Sequence, residues 1–235
     1  LGIVGLVYVF FYALFVKQTK PQEETKEDKS KKNKYFMHLL KFSLIWKLIL
    51  CAFCISCINK GLDAWMPTYL IAERGINLKA VGYLTPIPFI ASFLSTAVCG
   101  WVMNKYFDKK ENWMIVICAA MTAIFLYFMY NAETIMWVVI FQCGVYFFKA
   151  CILGTAVAIV LKIVTGSIAG SASTLINMGG QVAGFISPII MGYLVYAFNG
   201  SFNAVFYYLM AVAALCAISA LLIPTRKEDM LDLEK

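Results

Sequence analysis

Charge is scarce in this sequence. Only 14% of its 235 residues are Asp, Glu, Lys or Arg, and 62% are hydrophobic, where a soluble domain carries about 25% charged residues and roughly half apolar ones. A soluble domain is thereby excluded. Histidine occurs once, at His38 in a polar segment, where it reads as an interfacial residue and not as a catalyst or ligand. Nucleophile–base pairs, metal-binding clusters and nucleotide-binding motifs are missing too. No catalytic residue, metal or cofactor is therefore expected. The ten-residue alternating segments of a membrane β-barrel are also absent, because the apolar runs are continuous.

Those runs are the main feature of the chain. They are eighteen residues or longer and nearly free of charge, as transmembrane helices require. The candidate spans are residues 44–70, 80–103, 113–131, 135–161, 168–197 and 202–223. Short turns such as "ERGINLK", "KYFDKKEN", "NAET", "VTGS" and "FNGS" separate them. Leu1–Val16 is one more apolar run, with no positive n-region and no cleavage site. It is expected to be the end of a further helix and not a signal peptide. The fold class expected is an all-α membrane protein, a six-helix bundle plus the end of one preceding helix. Cys51, Cys54 and Cys57 echo part of an iron–sulfur ligand run, but they lie inside a span and lack a fourth ligand. They read as small apolar packing residues, as do the other five cysteines.

The basic residues set the topology. If the helices alternate in direction, sixteen of the twenty Lys and Arg fall on one side: nine in residues 17–47, three in 103–112, Lys162, and three in the tail. Only Arg74 and Lys79 fall on the other, and Lys60 and Lys149 lie within spans. The positive-inside rule places residues 17–43 and the tail, 224–235, in the cytoplasm of a multi-pass cell-membrane protein. The net charge of +7 follows from this topology, so nucleic acid is not needed as a partner. Residues 17–43 form the only long polar stretch and read as a solvated linker with an amphipathic, lipid-facing end.

Several stretches carry a family resemblance. "W-x-P-T-Y-L" (Trp65, Pro67–Leu70) precedes the helix that begins "PIPF" and ends "CGWVMNKYFDKKEN"; later comes "AGSASTLINMGGQVAGFISPIIMGYL". Together these resemble the C-terminal half of a major facilitator superfamily transporter, most closely the organophosphate/phosphate antiporters and the anion/cation symporters. The resemblance implies that residues 1–16 end the sixth helix, 17–43 form the central cytoplasmic loop and 44–223 form the C-terminal bundle. It also implies a missing N-terminal six-helix bundle. Two positions depart from the family. The loop signature G-x-x-x-D-[RK] reads Gly100, Asn104, Lys105, with the acid replaced, which would weaken a charge-dependent conformational latch. The antiporters' arginine on the seventh helix is Asn59 here, and the cation comes one residue later as Lys60.

Lys60 and Lys149 lie near the middle of their spans, where an ion costs roughly 2.5–3.5 kcal/mol on insertion scales and usually faces a cavity or a partner. The resemblance makes these the cavity-lining seventh and tenth helices. Ser56, Lys60, Asp63 and Pro67 share one helical face by their i, i+4, i+7, i+11 spacing, and Gln142, Tyr146 and Lys149 share another. Asn177 and Gln181 are an i, i+4 pair that can donate hydrogen bonds to a polar ligand. Structural alternatives stand beside these: Lys60 pairing with Asp63, Lys149 reaching a carbonyl, the amides joining helices. The expected function is secondary transport of a small organic anion across the bilayer by alternating access. Lys60 and Lys149 attract the anion; Gln142, Tyr146, Asn177 and Gln181 orient it; Asp63 is counter-ion or proton carrier. The alternatives are a non-transporting membrane sensor of such an anion and an isolated half-bundle.

Overall fold

The computed structural model describes residues 8–12, 43–108, 110–163 and 168–223. Residues 8–12 are helical and belong to a unit, Leu1–Lys34, separate from the main body, Tyr35–Lys235. The linker at 17–42, with His38, and the tail at 224–235 lie outside the described residues.

The main body is helical throughout its described elements: α1 Ser43–Ala72, α2 Leu78–Leu84, α3 Ile87–Tyr106, α4 Glu111–Tyr130, α5 Ile135–Ile163, α6 Ile168–Ala197 and α7 Asn203–Leu221. With α2 and α3 counted as one span, Leu78–Tyr106, six are long and apolar enough to cross a membrane. The expected spans are met to within a few residues. The one break comes at Pro86. Its ring removes a backbone donor, and the helix expected to be continuous over 80–103 divides into α2 and α3 there.

The helix ends follow local chemistry. Asn77 caps α2, its side-chain oxygen accepting from the Ala80 amide at 2.8 Å. The "FNGS" turn closes α6 through two left-handed residues, Asn199 (φ 53°) and Gly200 (φ 88°), with the Gly200 amide donating to Val195 O at 2.8 Å. The Glu73 carboxylate accepts from the Phe202 amide at 2.6 Å, so an anion at the end of α1 sits on the positive N-terminus of α7.

α1 is central. It packs along α6 and α7 and touches α5, while α5 packs against α3 and α4, and α4 against α7. Small residues allow the α1–α6 approach. A Cβ on Gly180 would stand 2.7 Å from Ser56 Oγ, and one on Gly184 would stand 3.1 Å from Lys60 Cγ. Gly170, nearer the start of α6, faces open space instead. Two hydrogen bonds reinforce the seam: Ser187 Oγ donates to Cys57 O at 2.8 Å, and the Trp65 indole donates to Pro188 O at 3.0 Å. Seven of the eight cysteines are buried thiols, and Cys51 meets Cys216 across the α1–α7 contact at 3.8 Å.

Candidate functional site

Near the middle of the six spans the charged residues are Lys60, Asp63 and Lys149. Lys149 is the middle residue of α5, Ile135–Ile163, and Lys60 lies within one turn of the middle of α1. The shared face expected on α1 divides in two. Ser56 and Lys60 lie against the glycines of α6, whereas Asp63 points to α5. The polar stripe of α1 therefore runs along the line where α5 and α6 flank it.

Asp63 and Lys149 form an ion pair, Nζ to Oδ1 at 3.1 Å. The Tyr146 hydroxyl donates to the same oxygen at 2.6 Å. The Lys149 ammonium also stands 3.3 Å from the centre of the Tyr146 ring, a cation–π contact that partly replaces its lost hydration. Tyr146 also meets Phe89 of α3, edge-on at 5.2 Å. Gln142 is buried one turn earlier on α5. Lys149 is only 4% exposed, against 30% for Asp63. A lone ion so buried is costly, and a paired one is held by partner and hydrogen bonds together.

Lys60 differs from Lys149. It is exposed, its stem lies on Gly184 of α6, and its ammonium makes no ion pair or hydrogen bond among the described residues. Neither structural alternative for the two lysines is realised: Lys60 does not pair with Asp63, and Lys149 finds a carboxylate. Asn177 and Gln181 are exposed on α6, with Gln181 three residues before Gly184 and so beside Lys60's contact on the helix surface. The structure thus brings Asp63, Gln142, Tyr146 and Lys149 into one cluster, with Lys60, Asn177 and Gln181 on the open side of α1 and α6.

The residues expected in a conformational loop are placed differently. Gly100, Asn104 and Lys105 all belong to α3, whose last turn is closed by the Phe107 amide on Met103 O at 3.1 Å. The chain leaves the helix only at Phe107. Lys105 stacks over Trp101 at 4.7 Å and Tyr106 at 5.3 Å, and Asn104 is exposed. The charged tie at this end is instead Lys162 of α5, which donates to Glu111 at 2.7 Å and Asp108 at 3.4 Å. Glu111, ahead of the weaker Asp108 contact, holds the Lys162 ammonium above its usual range. In the sequence Lys162 reads as a topological charge, and Asp108 and Glu111 carry no expected role; acids in the turn and a lysine closing the next helix but one were the available signal.

A bundle of membrane-length helices with a cation and an ion pair at mid-depth defines a polytopic membrane protein with a polar face inside the bilayer. The sequence matches the model of the Major Facilitator Superfamily over residues 1–148, and the chain belongs to that superfamily. Its relatives include a probable galactarate/D-glucarate transporter of Escherichia coli (strain K12), 26% identical over 179 residues, covering 73% of this chain and 38% of the relative. A hexuronate transporter of Bacillus subtilis (strain 168) is 26% identical over 234 residues, 93% of this chain and 55% of the relative. A glycerol-3-phosphate transporter of Haemophilus influenzae is 30% identical over 107 residues, 43% of this chain and 22% of the relative. These relatives are named as transporters, not enzymes. The chain spans about half or less of the length of the relatives it matches. Among solved structures, a bacterial homologue of the human lysosomal transporter Spinster covers 99% of this chain and 58% of its own, with a TM-score of 0.60 and 12% identity, which shows the shared fold.

Proposed function

We propose that this chain is the C-terminal half of a secondary active transporter that moves a small organic anion by alternating access. Residues 44–223 are its bundle, 17–43 the central cytoplasmic loop, and 224–235 a cytoplasmic tail. An N-terminal six-helix bundle completes the substrate site. The observation that carries this reading is Lys60: a cation near the middle of a membrane-length helix, exposed and without a counter-ion among the described residues. A charge at that depth is retained where it meets a ligand or a water-filled cavity. Transport of sugar acids and glycerol phosphate by the relatives supports the substrate class. Lys60 takes the anionic group, Asn177 and Gln181 supply donors to the polar remainder, and the Asp63–Tyr146–Lys149 cluster with Gln142 forms an ion-paired floor beside them.

The test is ligand-induced thermal stabilisation of the full-length protein with glucuronate and glucarate. Lys60→Gln should bind about tenfold or more weakly, the loss of a charge-assisted hydrogen bond, with unfolding temperature level or higher. Lys60→Arg should restore binding only in part, because a planar fork replaces a point charge. Unchanged binding in a less stable Lys60→Gln protein would make the lysine structural. Uptake into vesicles separates a transporter from a sensor, which would bind and move nothing.

A further inference from the structure

The ion pair bears on which anions the site accepts. Two lysines near mid-depth suggest a doubly positive site, but the Asp63 carboxylate stands 3.1 Å from Lys149 and cancels it. The other charges of these helices, Lys47, Lys79, Lys105, Glu111 and Lys162, lie near helix ends, so at mid-depth this bundle offers its ligand one net positive charge, that of Lys60. We infer that Asp63 is a specificity-determining residue: by neutralising Lys149 it limits the bundle's charge to one and favours anions carrying a single carboxylate over dianions. This rests on the anion-site reading above.

The physical reason is complementarity at low dielectric. A monoanion beside Lys60 balances the charge of this bundle, whereas a dianion brings one charge that this bundle does not compensate, where ions are poorly solvated. Asp63 is built to stay on Lys149. One of its oxygens accepts from both the Tyr146 hydroxyl and the ammonium, and Tyr146 is held from α3 by Phe89. Tyr146 is therefore a positioning residue that fixes the carboxylate. The second Asp63 oxygen makes no hydrogen bond among the described residues, and Asp63 is the more exposed partner, so its negative charge is felt on the open side.

The experiment uses two probes that differ by one terminal carboxylate, gluconate and glucarate, and the full-length protein. The readout is the ratio of their dissociation constants. Charges on the other half of the protein are constant across the series, so the change in ratio reports on this cluster. Asp63→Asn raises the bundle's charge to two and should shift the ratio toward glucarate by about tenfold. Lys149→Gln lowers it to zero and should shift the ratio toward gluconate. The double variant restores one net charge and should return to the parental ratio within about threefold. If Asp63→Asn is too unstable to measure, the Lys149→Gln and double variants still decide.

A ratio that does not move in Lys149→Gln, or a double variant that keeps the shift of Lys149→Gln, would overturn the inference. In either case the anion-site reading stands as long as Lys60→Gln weakens both probes. If the parent binds neither probe, both the reading and the inference fall.

Discussion

Gly144 offers a direct test of how the helix carrying Tyr146 and Lys149 is held. It lies on α5, two residues before Tyr146 and five before Lys149, and α4 packs against α5. A Cβ built on Gly144 would stand 2.5 Å from Phe125 Cε1 and 2.8 Å from its Cγ, where carbon atoms prefer about 3.5–4.0 Å. The ring would have to retreat by roughly an ångström. It has little room, being stacked on Phe148 at 5.6 Å and tilted against Phe141 at 6.3 Å. Gly144→Ala should cost on the order of 1–3 kcal/mol for overpacking, less up to about 1 kcal/mol that alanine gains over glycine in a helix. The steric term wins. Phe125→Ala removes the obstacle, so Gly144→Ala added to it should cost close to nothing or stabilise. The coupling between the two sites should then reach about 1–3 kcal/mol. Thermal unfolding of the full-length protein and its three variants in detergent measures this. If Gly144→Ala is as stable as the parent, or the two changes simply add, the α4–α5 contact is not set by glycine.

Two further outcomes are expected. Lys162→Ala should cost at most about 1 kcal/mol, a loss that salt reduces, because Lys162 is 43% exposed although Glu111 is not. Since pairing raises the lysine's pKa from about 10.5, its contribution is complete below that value and fades only as pH rises beyond it. Parent and variant should therefore differ equally at neutral pH and near pH 9 (about two units apart on the plateau this linkage predicts), as melting temperatures will show. For topology, cysteines replacing Lys105 and Glu133 should be labelled from opposite sides of the membrane, Lys105 from the cytoplasm; labelling from one side would overturn the helix count.

Much of this protein is legible from residue order. Membrane-length helices are set by apolar runs and the cost of unsatisfied backbone in hydrocarbon, so the spans, the Asn77 cap and the Asn199–Gly200 turn follow from local sequence. The same order marks Lys60, Asp63 and Lys149 as unusual, because charge at mid-span needs a reason. What they do to one another is not a local property. Asp63 is three residues from Lys60 and eighty-six from Lys149, and helical spacing alone leaves both pairings open. The packing of α1 on α6 decides it: Gly184 accepts the Lys60 stem and turns it away, while the α1–α5 contact brings Asp63 onto Tyr146 and Lys149. The extent of α3 through Asn104 and Lys105, and the tie from Lys162 to Glu111, likewise depend on which helix ends meet. Helices are written by short-range periodicity and solvent, whereas the partner of a charge is fixed only when glycines and rings have set the distance between them.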